Sequence, residues 1–226
     1  MRLYLASTSP ARLALLRQVG IEPVVVPSHV DEEAAVLAAE QADGPLTAAD
    51  LVALLARLKA EAVLDARPGD EPIDGFILGG DSAFEFDGAI YGKPHLPHVA
   101  RDRWRRQRGH SGVLFSGHWM IDHRLSTTAA PAAAVRPGAA SGGHPAAGAV
   151  DSAVVEFAAD ISDREIDVYI ASGEPLEVAG AFTIDGLAAP FITSVTGAPS
   201  AVIGMSLPVV RRLFGGLGVS HSDFQG

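Results

Sequence analysis

The 226-residue chain contains no cysteine, and this absence excludes several classes of protein at once. Disulfide-stabilised folds, thiolate zinc sites, iron–sulfur clusters and cysteine nucleophiles all need a residue that the chain lacks. The chain also has no uninterrupted apolar stretch near the ~20 residues that a membrane helix needs. Residues 7–10, Ser-Thr-Ser-Pro, break the short apolar run at its start, so no signal peptide is predicted. We therefore expect a soluble cytoplasmic protein that has no membrane partner.

Charged residues are scarce, and the balance among them is acidic. They make up 19% of the chain, with 17 Lys plus Arg against 27 Asp plus Glu, which gives a formal net charge of −10. Nucleic-acid binding depends on basic residues that neutralise phosphates, so this balance argues against a nucleic-acid polymer as partner. It does not exclude a small anionic substrate, because a basic pocket can oppose the overall charge.

The order of the predicted elements indicates an α/β fold. A strand over residues 3–6 is followed by a Ser-rich turn, a helix that Ser9 caps and Pro10 opens, and a second strand over 21–26. Strand–helix–strand order of this kind is typical of an α/β sheet. The same reasoning predicts helices over 47–64, 97–108, 162–170 and 207–214, and strands over 76–78, 83–86, 89–91, 113–121, 154–157 and 202–204.

Some segments are predicted to carry no chemistry. Residues 126–150 are rich in Ala, Pro, Gly and Ser and predict a flexible surface excursion, and the Gly-rich end from residue 215 predicts a frayed tail. The histidines complete no zinc signature and are interpreted as surface residues; they are His95, His98, His118 and His123. The basic run over 101–108 is one helix long, and we expect Trp104 to anchor that helix to the core.

The first candidate site is the turn Ser7-Thr8-Ser9-Pro10-Ala11-Arg12 after the first strand. Hydroxyls and backbone amides at a strand-to-helix turn can cradle an anion, and the planar fork of Arg12 suits phosphate oxygens. An ordinary helix cap with an exposed arginine explains the same pattern.

The second candidate is Gly79-Gly80-Asp81-Ser82, which is predicted to follow the end of a buried strand. The glycines would allow a ligand to approach closely, and Asp81 can hold a divalent cation or orient a water. A glycine turn with a capping aspartate is the alternative.

Three further features can add charge to such a site. Lys93 stands between Gly92 and Pro94 just past a predicted hairpin, and Lys59 lies at the edge of an apolar helical stripe. The acidic cluster over 30–33 contains Glu32, which can join Asp81 in binding Mg²⁺ or Mn²⁺. Ordinary surface lysines and a solvated acidic turn are the alternatives.

The candidate segments, taken in their order along the chain, resemble the motifs of the Maf family of nucleoside triphosphate pyrophosphatases. The opening LYLASTSPAR is similar to that family's Ser-x-Ser-Pro-Arg-Arg start. VDE at 30–32, the helix with Lys59, LGGDS at 78–82 and GKP at 92–94 follow in family order. SGEPLEVAGAFTIDG at 172–186 and the segment over 197–207 resemble later family motifs, so the match covers nearly the whole chain except roughly 124–150.

The resemblance implies a single Maf/ITPase-like α/β domain over 1–226, an elongated mixed sheet with two lobes and a central cleft. It implies hydrolysis of a nucleoside triphosphate between the α- and β-phosphates, with a divalent cation (Mg, Mn or Co) and often a homodimer. By matching position, Asp81 is the general base and Glu32 and Asp81 bind the metal. The residues that match triphosphate-binding positions are Ser7, Ser9, Arg12, Lys59 and Lys93.

This chain departs from the family pattern at three positions, and the resemblance connects the first two of them with nucleotide choice. The family's first Arg after Ser-Pro is Ala11, its Gln in the later motif is Asp185, and its Lys before Ala-Gly-Ala is Val178. Family branches selective for dTTP and UTP carry Arg and Gln at the first two positions, and Ser82 occupies a third specificity position. We therefore expect a broader or different base preference. A nucleotide-binding regulator of cell division with little turnover is the alternative function.

Overall fold

The computed structural model describes residues 1–125 and 142–225. Within these ranges a seven-stranded sheet carries helices on both faces. The strands are β1 (Leu3–Ala6), β2 (Val24–Val25), β3 (Gly75–Phe86), β4 (Ala89–Tyr91), β5 (Ser111–His123), β6 (Ala146–Phe157) and β7 (Ile192–Thr196). The α-helices are α1 (Pro10–Gln18), α2 (Glu32–Asp43), α3 (Ala48–Glu61), α4 (Pro97–Gln107), α5 (Asp163–Ala171), α6 (Pro199–Ile203) and α7 (Leu207–Gly216).

The sheet is mixed, and its central strand β3 has two different neighbours on one side. The strand order is β2-β1-β3-β5-β6-β7, with β4 also paired to β3. Parallel β1 pairs with the first part of β3, as far as Ala6 beside Gly79, whereas antiparallel β4 pairs with the last part, from Phe84 beside Tyr91. Between these two contacts, residues 80–83 have β5 on one side and no described strand on the other. This gap leaves a stretch of β3 open at the middle of the sheet.

Helix α3 lies unusually close to one face of the sheet. A Cβ atom added to Gly79 would lie 2.1 Å from the carbonyl oxygen of Ala56, and one added to Gly117 would lie 2.1 Å from that of Val52. The two glycines therefore let the helix backbone touch β3 and β5. The predicted end of the strand at residue 78 is wrong for this reason, since the glycines allow close packing and β3 continues through them to Phe86.

The predicted role of Trp104, which is to anchor helix α4 to the core, is confirmed. Its ring is fully buried, and its Nε1 donates to the carbonyl oxygen of Ala181 at 2.7 Å. Nearby basic side chains of α4 are paired within the fold, as Arg101 with Asp167 and Arg105 with Asp163. The basic run is therefore largely engaged with acidic neighbours, as expected for a structural helix.

Several local predictions are confirmed. The observed β1 has the predicted bounds, and α1, α3, α4, α5 and α7 lie where the patterns placed them. Ser9, Thr47 and Ser162 cap their helices through their side chains. Asp87 and Gly88 form the predicted hairpin turn, both with positive φ.

Other predictions are wrong where distant packing decides the structure. The predicted strand over 202–204 is part of α6 and the turn after it, and the acidic turn after β2 begins helix α2. The prediction of a frayed tail from residue 215 is wrong. Helix α7 continues through Gly216, and the side chain of Phe224 is buried, with its ring centroid 4.3 Å from that of Phe214.

The predicted strand over 21–26 is shorter than expected, since β2 covers only Val24–Val25. Residues 126–141 of the predicted surface excursion lie outside the described residues. Its last five residues, 146–150, belong instead to the start of β6. No described helix has the length and apolar character needed to cross a membrane.

We expect Gly117→Ala to destabilise the protein by about 3 kcal/mol, because the new methyl group would overlap the Val52 carbonyl and push α3 from the sheet. Urea unfolding measures this loss. Gly215→Ala is the matched control: that glycine lies inside α7 with open space around it, so alanine should stabilise by about 0.5–1 kcal/mol. Equal stability of the two variants would contradict the close contact.

Candidate functional site

Two loops converge on the open stretch of β3. Because Ala6 pairs with Gly79 in the parallel register, the Ser7–Ser9 turn continues beside residues 80–82. Because Tyr91 pairs antiparallel with Phe84, the chain after Tyr91 heads toward the same stretch from the other end. The sheet register alone therefore directs the Ser7–Ser9 turn and the loop with Lys93 toward residues 80–82.

Lys59 joins the two predicted acidic residues. It belongs to the face of α3 that packs on the sheet and is only 7% exposed. Its Nζ lies 2.7 Å from Asp81 Oδ1 and 2.8 Å from Glu32 Oε1, so the two carboxylates approach the same ammonium group. The contact with Asp81 follows from the close approach of α3, since Gly79, Asp81 and Gly117 share the face that the helix covers.

Asp81 is a buried carboxylate with a countercharge. It is 8% exposed, and burial raises the pKa of its carboxyl group, while Lys59 and Arg12 oppose that rise by favouring the ionised form. Lys59 bonds Oδ1, and among residues 1–125 and 142–225 no hydrogen bond reaches Oδ2. One oxygen therefore remains able to accept a proton or bind a cation.

Arg12 is buried, which is unlike the exposed arginine of the simple helix-cap alternative. It is 8% exposed and donates from Nε to the Gly204 carbonyl at 2.8 Å, from NH2 to Ser82 Oγ at 2.9 Å and from NH1 to Ser7 Oγ at 3.3 Å. Burial lowers the pKa of this guanidinium, and nearby Asp81 and Glu32 oppose that change. Hydrogen bonds within residues 1–125 and 142–225 use three of its five N–H groups, and the other two can meet an anionic ligand.

The two halves of the site lie on opposite faces of β3. Successive side chains of a strand point to alternate faces. Asp81 therefore faces α3 and Lys59, whereas Ser82 faces α1 and Arg12. Gly80 also lies under Arg12, since a Cβ there would be 3.3 Å from Arg12 Nε. A ligand that contacts both halves must cross the open edge between β1 and β4.

The remaining predicted residues are less tightly joined to this centre. Ser9 caps α1 by accepting the Arg12 amide N–H, and its own amide donates to Ser7 Oγ. The Lys93 side chain is 55% exposed, with its nearest described carboxylate Glu177 at 4.0 Å. Ala11 is half-buried in the first turn of α1, and Asp185 is exposed on a turn after the Ala-Gly-Ala segment.

Some residues of the site were missed by sequence reasoning. The Gly204 carbonyl accepts from both Arg12 and Ser82, and Ser116 Oγ lies 3.3 Å from Ser82 Oγ. The interpretation of His118 as a surface residue is wrong, because it is buried within β5, and His123 is half-buried. Gly204 lies within the family-like motif over 197–207, which is the sequence signal that could have identified it. No motif in the sequence marks Ser116 or His118 on β5.

Glu174, in the Gly-Glu-Pro segment, also received no predicted role. Its carboxylate accepts from the hydroxyls of Tyr169 and Thr183 and from the backbone N–H of Leu187. Thr183 and Leu187 lie on either side of Asp185, so these hydrogen bonds to Glu174 fix the turn that carries Asp185.

The acidic residues fit a divalent cation that is shared with a ligand. The described residues contain no group of three or more histidine and acidic side chains suited to enclose a metal ion. Mg²⁺ typically uses one or two protein carboxylates and takes its other ligands from phosphates and water. Asp81 and Glu32 meet that requirement, since they approach one Nζ and each has a second oxygen.

The fold and site together define an α/β protein with a cluster of acidic and basic side chains at an open edge of a central strand. The family model for Maf-like proteins matches residues 2–217. A protein of Leifsonia xyli subsp. xyli, named nucleoside triphosphate pyrophosphatase, is 62% identical over 213 residues, or 94% of this chain and 91% of that protein. Proteins of the same name from Corynebacterium efficiens and Thermosynechococcus vestitus are 41% and 42% identical, over 99% and 98% of this chain and 98% and 96% of theirs.

This chain therefore belongs to the Maf-like protein family, which confirms the resemblance that its motif order predicted. The α/β fold class is confirmed as well.

We expect Lys59→Met to destabilise the protein by about 3 kcal/mol at pH 8, because buried Asp81 loses its direct cation. The pKa of Asp81 is already raised by burial and should rise further without Lys59. A folded-state pKa above the unfolded value stabilises at low pH, and that stabilisation is lost as pH rises through the folded pKa. The loss should therefore be smaller at pH 5 than at pH 8 in urea unfolding.

The double variant K59M/D81N is the control for this prediction. With a neutral amide at position 81, the pH dependence of the Lys59→Met effect should largely disappear. An equal loss at both pH values in the single variant would contradict the charge pairing.

Proposed function

We propose that this chain is an enzyme, a nucleoside triphosphate pyrophosphatase that hydrolyses the bond between the α- and β-phosphates. The observation that carries the proposal is the buried Asp81–Lys59–Glu32 cluster beside Arg12 at the open edge of β3. Binding alone would not need a buried carboxylate with a free oxygen next to the anion site. The names of three relatives that cover nearly the whole chain support the same activity.

In the proposed reaction, Asp81 is the general base. A water attacks the α-phosphorus, its proton passes to the carboxylate of Asp81, and the bond between the α-phosphorus and the oxygen that bridges to the β-phosphate breaks, which gives a nucleoside monophosphate and pyrophosphate. Burial raises the pKa of Asp81, and a base accepts protons best when its pKa approaches the working pH. Lys59 holds Oδ1 and keeps the carboxylate ionised and oriented.

The substrate's negative charge would be neutralised from both faces of β3. Lys59 lies on one face, and the two remaining N–H groups of Arg12 lie on the other, with the Ser7 and Ser9 turn beside them. Lys93 would approach from the loop after β4. Asp81 and Glu32 would hold a divalent cation (Mg, Mn or Co) together with substrate oxygens. When bound, that cation supplies further charge neutralisation to the triphosphate.

Base preference is proposed to depend on Ala11, Ser82 and Asp185. Ala11 offers no polar group, and Asp185 carries a carboxylate where the selective branches carry an amide. We therefore propose that the enzyme accepts a broader or different set of nucleotides than dTTP and UTP. A homodimer stays a prediction from the family resemblance, and a cytoplasmic location stays a prediction from the pattern of apolar residues in the sequence.

The reaction is tested with a panel of standard and modified nucleoside triphosphates, scored for pyrophosphate and nucleoside monophosphate. We expect Asp81→Asn to lower kcat at least about 100-fold, because the proton acceptor is lost. Asp160→Asn is the control, since it changes an exposed aspartate in the loop before α5. Wild-type turnover in D81N would exclude the assigned base. Tight binding without turnover by the wild type would favour the alternative of a regulatory nucleotide-binding protein.

The metal requirement is tested by chelation. We expect EDTA to abolish turnover and Mg²⁺, Mn²⁺ or Co²⁺ to restore it, because the carboxylates of Asp81 and Glu32 repel a triphosphate unless a cation lies between them. Glu32→Gln should raise the metal concentration that gives half-maximal activity by about tenfold. Full activity in EDTA, or an unchanged metal dependence in E32Q, would contradict the proposed ligands.

A further inference from the structure

The orientation of Arg12 depends on a backbone carbonyl far away in the sequence. Gly204 O accepts from Arg12 Nε at 2.8 Å and also lies 3.3 Å from Ser82 Oγ. A guanidinium presents its N–H donors as a rigid planar fork that matches phosphate oxygens, so the orientation of its plane sets the direction from which it can bind a phosphate. The position of Gly204 therefore determines where the two remaining N–H groups of Arg12 point.

The turn that carries Gly204 is fixed at its first end by helix α6. Gly204 N donates to the carbonyl of Ala201 at 3.1 Å, and Met205 N donates to that of Ser200 at 3.0 Å. Ser116 on β5 donates to the Ala201 carbonyl at 2.8 Å, which ties α6 to the sheet. Gly204 has a φ of 129°, a conformation that strongly favours glycine.

The other end of the same turn is fixed by His118. The backbone N–H of Ser206 donates to His118 Nε2 at 2.8 Å, so this nitrogen carries no proton. The other ring nitrogen, Nδ1, then bears the proton and lies 3.3 Å from the Ala149 carbonyl. Burial lowers the pKa of His118 to about 4, which keeps the ring neutral and Nε2 an acceptor near neutral pH.

The sheet places His118 on the face that Arg12 occupies. In the β3–β5 register His118 is opposite Gly80 and Ser116 is opposite Ser82, so these side chains share one face. The arrangement differs from a hydrolytic serine–histidine pair, because His118 accepts from the Ser206 backbone while the Ser206 hydroxyl donates to Asp151. His118 is therefore a support of the turn rather than a base for a nucleophile.

We propose that His118 is a positioning residue for phosphate binding: by holding Ser206 it fixes the Gly204 carbonyl and so orients the Arg12 guanidinium toward the triphosphate. This inference rests on the proposed function, in which Arg12 contacts the substrate. It assigns a role in substrate binding to a buried side chain that does not itself touch the site.

The test compares two substitutions at His118 in the full-length protein with divalent cation present. His118→Leu removes the acceptor, and we expect kcat/KM for the best nucleoside triphosphate to fall about tenfold, mainly through KM. His118→Gln keeps an acceptor oxygen near the position of Nε2 and should restore kcat/KM to within about threefold of the wild type. Val155→Ala, in the buried core of β6, controls for a loss of stability alone.

A double-mutant cycle with Arg12→Lys separates positioning from a general structural role. If His118 acts through Arg12, H118L should have little further effect in the R12K background. Additive losses, or equal effects of H118L and V155A at matched thermal stability, would overturn the proposal. If H118L does not fold, His118→Asn replaces it, since its shorter side chain also leaves Ser206 N–H without an acceptor.

A binding measurement distinguishes failure of this inference from failure of the proposed function. Calorimetry with inorganic tripolyphosphate reports the anion site without turnover. If the wild type hydrolyses no nucleotide but H118L still binds tripolyphosphate about tenfold more weakly, the proposed reaction fails and the positioning role survives. Equal affinities of wild type and H118L, or no binding by either, would overturn the positioning role.

Discussion

The backbone contact of α3 with the sheet is the constraint on which the candidate site depends. Glycines at 79 and 117 leave no side chain between helix and strands, so the helix backbone touches β3 and β5. That proximity places Lys59 at a direct hydrogen-bond distance from Asp81 and within the reach of Glu32. A single methyl group on either glycine would move the helix and separate the charges, so packing and electrostatics are not independent in this protein.

The second constraint is the change of neighbour along β3. A strand that is parallel to β1 at one end and antiparallel to β4 at the other leaves four residues open at its centre. Open α/β sheets bind ligands where their connections diverge, and here the divergence occurs within one edge of a central strand. The acidic cluster and the arginine reach this edge from opposite faces, which suits an extended polyanion better than a compact ligand.

Local patterns in the sequence predicted the parts of the fold that local chemistry decides. The caps at Ser9, Thr47 and Ser162 and the Asp-Gly hairpin turn need only neighbouring residues, and all are confirmed. The pair Gly79-Gly80 was misread as a strand end because glycine favours turns locally, whereas its role here is set by α3 and Arg12. The residue types of the site could be predicted from motif order, but the supports of Arg12 could not, since Gly204 lies 192 positions away in the chain.

The alternation of Asp81 and Ser82 has a consequence for how such a protein can evolve. The two halves of the site belong to consecutive residues of one strand, and each residue is directed to its own face by the pleat alone. Insertion or loss of one residue before Asp81 within β3 would exchange the faces to which Asp81 and Ser82 point. The carboxylate would then lie on the face of Arg12, and the hydroxyl on the face of Lys59. The strand therefore tolerates a change of residue type at these positions more readily than a change of length before them.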